Sequence, residues 1–345
     1  MKKRLLLLLS LTSLLATACV APAGPVPATP AATPSPVTEP AGVDPTPATA
    51  AEAAPAETGA ISAEALRDAA YSGVYDLPIT LTDGLYEGEP SGEGDPARPT
   101  VEFIDGTELT GDLDGDGVDD AVVFLLEHGG GSGAFTYVAA QLNRDGQPVD
   151  AGAVRIEDRI GVRSAAIEDG QVVLDLILQG PGDVACCGSH KARKTYALQD
   201  GRLVETTAAG GELVKVSAAD LDGTNWTLLE LDDDQPALAG AEVTLSFRDV
   251  SPSVAGSGGC NNFTGSFSLD EVNPFVMTIG PVAATQQACP DPVGSQETAY
   301  FAALQGVSHW AYAYGRLALF YADGQGGMGR LLFVPQAAPD AGEGQ

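Results

Sequence analysis

The chain has 345 residues, 47 acidic against 17 basic side chains and a formal charge of −30. So strong an acid excess offers no basic surface that could release counterions from phosphates, which argues against a nucleic-acid partner. It equally disfavours lying flat on anionic lipid. Hydrophobic residues make up 44% of the sequence, enough for a sizeable core, and the length leaves room for about two domains.

Residues 1–18 read as a signal peptide. Lys2, Lys3 and Arg4 form a basic start, 5–15 is an apolar run too short for a stable bilayer span, and Ala16, Thr17 and Ala18 lead to Cys19. This arrangement resembles the bacterial lipobox, with Ala16 where leucine is commoner. The resemblance implies acylation of Cys19 and attachment to membrane lipid on the extracytoplasmic face of the cell envelope. Ordinary cleavage beside an unmodified Cys19 is the alternative.

Residues 19–60 continue as a linker of Pro, Ala and Thr that holds ten of the 24 prolines and shows no apolar period. In extended polyproline form it would reach roughly 120 Å at about 3.1 Å per residue. A tether that lifts the folded part off a membrane is its expected role.

From Ile61 to about 211 the pattern predicts a β-rich domain. Ser62 is placed to cap a short helix reaching Arg67 to Tyr71, with Glu64 in its first turn. Strands are predicted at 101–104, 121–126, 135–142, 154–162, 172–178 and 195–198. Asp145-Gly146, Asp169-Gly170 and Asp200-Gly201 are hairpin turns by composition. The run Gly129-Gly130-Gly131-Ser132-Gly133-Ala134 fits a dinucleotide-binding spacing, but a strand rather than a helix follows it, so a hairpin connection is the better reading.

Two clusters in this domain carry possible chemistry. In Asp112-Leu113-Asp114-Gly115-Asp116-Gly117-Val118-Asp119-Asp120, acids at alternate positions around glycines match the oxygen-ligand spacing of calcium loops. Asp112, Asp114, Asp116 and Asp120 are expected to bind Ca²⁺ through side chains, and Val118 through its carbonyl. Val123 stands where an EF-hand has glutamate and a strand follows, so the loop resembles those of β-propeller and integrin-type repeats, in a single copy. Weak affinity, about 10⁻⁴–10⁻³ M, is the expectation. An acidic turn without metal is the alternative.

The second cluster is Cys186-Cys187-Gly188-Ser189-His190. A vicinal disulfide, separate pairing of each cysteine, and a copper or zinc site lacking its fourth ligand are the three readings. His128, His190 and His309 are the only histidines. No Walker lysine, nucleophile elbow or H-E-x-x-H occurs.

Residues 217–335 predict a second domain. Trp226, Leu228 and Leu231 open it, Val243, Leu245 and Phe247 alternate on one sheet face, and 275–279 is a strand. A helix is expected over 294–307, capped by Ser295, with Glu297, Tyr300, Phe301 and Leu304 on one face. Closing strands are placed at 312–321 and 331–334, and His309 and Trp310 on the wall or rim. Asp232-Asp233-Asp234 reads as a solvated turn. Residues 336–345 form a tail.

Leu221-Asp222-Gly223-Thr224-Asn225-Trp226, then Gly256-Ser257-Gly258-Gly259-Cys260-Asn261-Asn262-Phe263-Thr264-Gly265, then Ala284-Thr285-Gln286-Gln287-Ala288-Cys289-Pro290, then Glu297 with Tyr300-Phe301 resemble, in this order, the META domain of bacterial envelope lipoproteins. The resemblance implies a small, partly open β-barrel with one packed helix, and it does not imply an enzyme. Gly256, Gly258 and Gly259 would supply backbone freedom, and Cys260 and Cys289 either join two loops in a disulfide or remain buried thiols.

Together these readings predict a mainly β protein of two β-rich domains. It would be membrane-tethered through Cys19 and non-enzymatic, with weakly bound Ca²⁺ as its one candidate cofactor and an envelope protein or small ligand as partner. An extracytoplasmic enzyme or redox/metal protein using Cys186, Cys187 and His190 is the competing reading. A solute-binding or inhibitor module working through the barrel mouth is a third.

Overall fold

Strand Asp120–His128 carries an unbroken apolar run from Ala121 to Leu126, and the structure shows why. Ala121, Val123 and Leu125 enter one core while Val122 and Phe124 enter another, so both faces of the strand are covered. The computed structural model describes residues 59–90, 98–130, 133–158, 160–183, 188–207, 213–232, 235–324 and 326–336, all within one unit spanning Ala56–Gln345. Among the described residues no helix is long and apolar enough to cross a membrane. The expected anchor Cys19, the linker up to residue 58 and the tail beyond 336 lie outside the described residues.

Among the described residues the first half contains two larger antiparallel sheets and a two-stranded one. One runs Leu85–Glu87, Thr100–Phe103, Asp120–His128, Phe135–Arg144, Gln147–Asp158, with Leu109–Gly111 also on Asp120–His128. The other joins Arg202–Glu205, His190–Gln199, Gln171–Leu178 and Gly161–Glu168. Phe124, Val138 and Leu142 of the first meet Val162, Leu174, Leu176 and Tyr196 of the second in a shared core. Leu66, Tyr71, Ile79 and Leu81 cover the opposite face of the first sheet.

Local chemistry sets the corners. The three Asp-Gly hairpins form as expected, Asp145, Asp169 and Asp200 taking φ of 57°, 49° and 49° and the following glycines 80°, 73° and 74°. Ser62 Oγ accepts the Ala65 N–H at 3.1 Å and caps Ala63–Arg67. That helix stops at Arg67, and Ala70–Tyr71 is already a strand pairing with Ile79–Thr80. The stretch expected as one strand at 154–162 is split between Gln147–Asp158 and Gly161–Glu168.

The second half is a nearly closed barrel. Its hydrogen-bonded order is Met277–Ile279, Asn262–Leu269, Ser253–Ser257, Thr244–Arg248, Asn225–Leu231, Met328–Pro335, Arg316–Ala322, Val307–Ala313. A bridge between Val276 and His309 links the two end strands. Trp226, Leu228, Leu245, Phe247, Phe267, Trp310, Leu319 and Phe333 fill the interior, each 5% exposed or less. Burying side chains of this size contributes about 1.5–3 kcal/mol apiece. Trp310 therefore belongs to the wall, and its indole N–H donates to Pro274 O at 2.8 Å.

Helix Val293–Gln305 packs Tyr300, Ala303 and Leu304 on this core. Ser295 does not cap it: Pro292 holds the cap position and Ser295 Oγ donates to Asp291 Oδ1 at 2.7 Å. The strand expected over 312–321 is a hairpin, because Tyr314 and Gly315 take φ of 52° and 78° and reverse the chain. Only Gly259 of the three loop glycines has positive φ, at 101°. Gly256 and Gly258 are required by space instead, since a Cβ would sit 2.0 Å from Thr244 O or 2.7 Å from the Glu297 side chain.

Val214–Lys215 pairs with His190–Gln199, and Val216 is buried with the barrel core beside Ile177 of the first half.

Candidate functional site

The acidic loop precedes strand Asp120–His128, and its backbone is shaped by its own carboxylates. Asp112 Oδ1 and Oδ2 accept the N–H groups of Gly115 and Gly117 at 2.7 and 2.9 Å, and Asp116 Oδ1 accepts Val118 N–H at 2.8 Å. Positive φ at Gly115 (81°) and Gly117 (85°) closes the turn. Carboxylate oxygens of Asp112, Asp114 and Asp116 lie within 4.8 Å of one another. Three expected ligands thus converge.

Asp120 does not join them. It is 1% exposed, and its oxygens accept Leu113 N–H at 2.9 Å and Asn143 N–H at 2.8 Å, fastening the loop's end to the neighbouring strand. Burial pushes its carboxyl upward against these two hydrogen bonds.

Arg144, which the spacing argument did not single out, places Nη1 2.8 Å from Asp116 Oδ2 and Nη2 on Asp114 Oδ2. Its guanidinium holds the Asp114 carboxyl below its ordinary value. Nothing in sequence spacing marks Arg144, because strand pairing carries it 28 positions to Asp116.

Near the second cluster, Cys186 and Cys187 lie outside the described residues, whereas His190 is described and buried. Asp183 organises what surrounds it. Its Oδ2 accepts Gly180 N–H at 2.9 Å and Ser189 N–H at 2.8 Å, and lies 3.1 Å from His190 Nδ1; Oδ1 accepts the Ser189 hydroxyl at 2.5 Å. Burial opposes ionisation, yet the Ser189, Gly180 and His190 hydrogen bonds hold the carboxyl far below the usual range. Serine and histidine both bond to the aspartate here. A nucleophilic triad instead needs serine on the free imidazole nitrogen, with aspartate on the other. The contacts clip the two ends of the 180–190 connection together.

The third site lies at the barrel's helix. Cys260 and Cys289 form a disulfide with Cα atoms 6.1 Å apart, joining the turn before strand Asn262–Leu269 to the segment before helix Val293–Gln305. Beneath it lies Glu297, 6% exposed. Its Oε1 accepts the N–H groups of Cys260 (3.2 Å) and Asn261 (2.6 Å), and its Oε2 accepts Asn261 Nδ2 at 2.7 Å. Asn261 also accepts Thr285 Oγ1 and Gln287 N–H at 2.8 and 2.7 Å, tying both loops to one amide. Glu297, expected on one helix face with Tyr300, Phe301 and Leu304, is buried on that face and accepts the loop's N–H groups.

Asp232 of the acidic triplet is likewise engaged, accepting Tyr321 Oη at 2.5 Å and Arg330 N–H at 3.2 Å; Asp233 and Asp234 lie outside the described residues.

Residues 219–337 match the family model of the META domain, so the barrel and its helix are a META domain. A solved NMR structure of a protein from Burkholderia xenovorans is similar to this chain, 25% identical over 38% of this chain and 99% of that one, with a TM-score of 0.29. No curated protein matches.

Proposed function

We propose that this META-domain chain is a non-enzymatic envelope protein, held to membrane lipid by acylated Cys19, whose folded part works by binding at its outer surface. The filled barrel interior carries this reading. With Trp226, Phe247, Trp310 and Phe333 packed inside, a small solute has no room along the barrel axis. Recognition of an envelope protein would therefore use the loops and the outer face. The acid excess keeps such a tethered body soluble and away from anionic lipid.

Ca²⁺ on Asp112, Asp114 and Asp116 would belong to this function as a loop stiffener. Val118 would offer its carbonyl, while Asp120 orders the backbone behind it. The donor set is hard oxygen, which suits calcium better than a soft metal.

The anchor is tested by palmitate labelling of cells expressing the wild-type chain and Cys19→Ser. Label on the wild type that vanishes in the variant, together with loss of membrane fractionation, is the expected result. Equal labelling overturns the anchor.

The competing reading places thiol or metal chemistry at Cys186, Cys187 and His190. What favours it is the His190 ring, oriented by Asp183 at 3.1 Å. A Cys186→Ser/Cys187→Ser variant that folds and complements a deletion strain removes it; loss of complementation with an intact fold supports it.

A further inference from the structure

Glu297 is a buried carboxylate set directly against a disulfide. Its Oε2 lies 3.4 Å from Cys289 Sγ, and one oxygen of Glu297 and both sulfurs fall within 4.8 Å of one another. The carboxylate is fixed by three hydrogen bonds from Cys260 and Asn261 rather than by a cation. A cleft of about 630 Å³ opens beside it, lined by Gln287, Cys289, Gly294 and Glu297 among others.

We infer that the Cys260–Cys289 pair, once reduced, forms with Glu297 a binding site for zinc or a similar borderline-soft divalent ion. Two thiolates and one carboxylate supply three ligands, and the cleft admits water as a fourth. Thiolates on a tetrahedral zinc stand about 3.8 Å apart, given Zn–S bonds of about 2.3 Å. The two Cα atoms, 6.1 Å apart, allow that separation by side-chain rotation. Asn261 Nδ2, 3.1 Å from Cys289 Sγ and 2.7 Å from Glu297 Oε2, is the outer-shell donor that fixes both.

The steps balance. A dithiol reductant delivers two electrons and two protons, the S–S bond breaks to two thiols, and the reductant leaves as its own disulfide. The metal then displaces both thiol protons and takes a Glu297 carboxylate oxygen as its third ligand. Oxidised, the pair is a covalent link between two loops; reduced, the metal replaces that link. Calcium and magnesium lack affinity for thiolate and would not substitute.

The test uses the full chain carrying Cys19→Ser, Cys186→Ser and Cys187→Ser, so that only Cys260 and Cys289 can respond. The chain is reduced with a phosphine and titrated anaerobically with Co²⁺. One equivalent should produce a thiolate-to-cobalt charge-transfer band of two-thiolate intensity, bleached by Zn²⁺ and absent from the oxidised chain. Glu297→Gln should weaken cobalt binding by about tenfold or more, since loss of outer-shell partners alone costs that much. Glu297→His, a stronger ligand, should retain binding with shifted visible bands. Absence of the band in the reduced parent chain overturns the inference. Affinity and bands unchanged in both Glu297 variants do the same. So does a reduction-induced loss of tryptophan near-UV signal that metal fails to restore.

Discussion

Lys191 Nζ lies 2.6 Å from Asp220 Oδ1, joining strand His190–Gln199 of the first half's second sheet to the short 3₁₀ turn Ala218–Asp220 that leads into the barrel. The two partners are unequally buried, the Asp220 side chain 7% exposed and that of Lys191 27%. Asp220 also accepts Ser217 N–H at 2.9 Å. Removing the lysine strands the more deeply buried charge, whereas removing the carboxylate leaves an ammonium that can swing toward water. Lys191→Met should therefore cost about 1–3 kcal/mol, more than Asp220→Asn. The double variant should recover part of the loss. Urea denaturation in a double-mutant cycle reads this, and a larger loss for Asp220→Asn would reverse the argument.

Tyr314 makes a second connection between the halves. At the tip of a barrel hairpin, its ring stands 5.4 Å from that of Phe124 and its hydroxyl 3.3 Å from Thr136 Oγ1. Next to it Arg316 Nη2 donates to Asp105 O and Gly106 O at 2.9 and 2.8 Å. Tyr314→Ala should lose about 3 kcal/mol, and Tyr314→Phe well under that. If the hairpin couples the halves, scanning calorimetry of Tyr314→Ala will show the single unfolding transition separating into two. A single lowered transition would mean that the remaining contacts suffice for cooperativity.

How far the fold was legible depended on the range of the interactions. Asp145-Gly146, Asp169-Gly170 and Asp200-Gly201 announce their turns because left-handed backbone is a local property of those residues. Ser62 announced its cap for the same reason. Tyr314 gave no such signal: a tyrosine at φ 52° is held there by Phe124 and Thr136, which lie far away in sequence. The acidic loop was legible as a set of carboxylates, but not the division of labour that sends Asp112, Asp114 and Asp116 together and Asp120 inward. That division follows from Asn143 and Arg144 on the adjacent strand. Glu297 was legible as part of one helix face, but not as the acceptor for Asn261, which lies 36 positions away in sequence.

The guanidinium on the acidic loop sets an expectation for calcium. Arg144 occupies oxygens of Asp114 and Asp116 that an ion would use, so metal must displace it. About 1 mM Ca²⁺ should raise the melting temperature of the wild type over a chelated control. The increment should grow in Arg144→Ala and disappear in Asp114→Ala. Differential scanning fluorimetry across the three chains decides it, and equal melting with and without calcium in Arg144→Ala would sink the proposal.

Asp183 predicts the acid limb of the stability profile. Its carboxyl is held below its ordinary value, so near and below the usual carboxylate pKa of about 3.9 the unfolded chain binds a proton that the folded chain refuses. The stabilisation it contributes is fully present above that pH and is lost as pH falls toward the folded value. Asp183→Asn should be less stable than wild type at pH 7, and the difference should shrink progressively below about pH 4. Chemical denaturation at a series of pH values measures it. A difference that stays constant down to pH 2 would assign the residue a purely steric role.

Gly256 tests how closely the barrel wall approaches itself. A Cβ there would lie 2.0 Å from Thr244 O and 2.7 Å from Thr244 C, and backbone cannot move aside as a flexible side chain would. Thr244 is already committed twice: its carbonyl accepts the hydroxyl of fully buried Tyr300 at 3.2 Å, and its Oγ1 accepts Ser257 N–H at 3.0 Å. Displacing it would therefore loosen the helix and the neighbouring strand together. Gly256→Ala should cost about 1–3 kcal/mol, with faster hydrogen exchange at Ser257 than in wild type. Gly59→Ala, where a Cβ meets nothing within 4 Å, serves as the control and should leave stability unchanged. If Gly256→Ala matches that control, the strand carrying Gly256 must be able to shift without cost, and the close approach to Thr244 is not what demands glycine there.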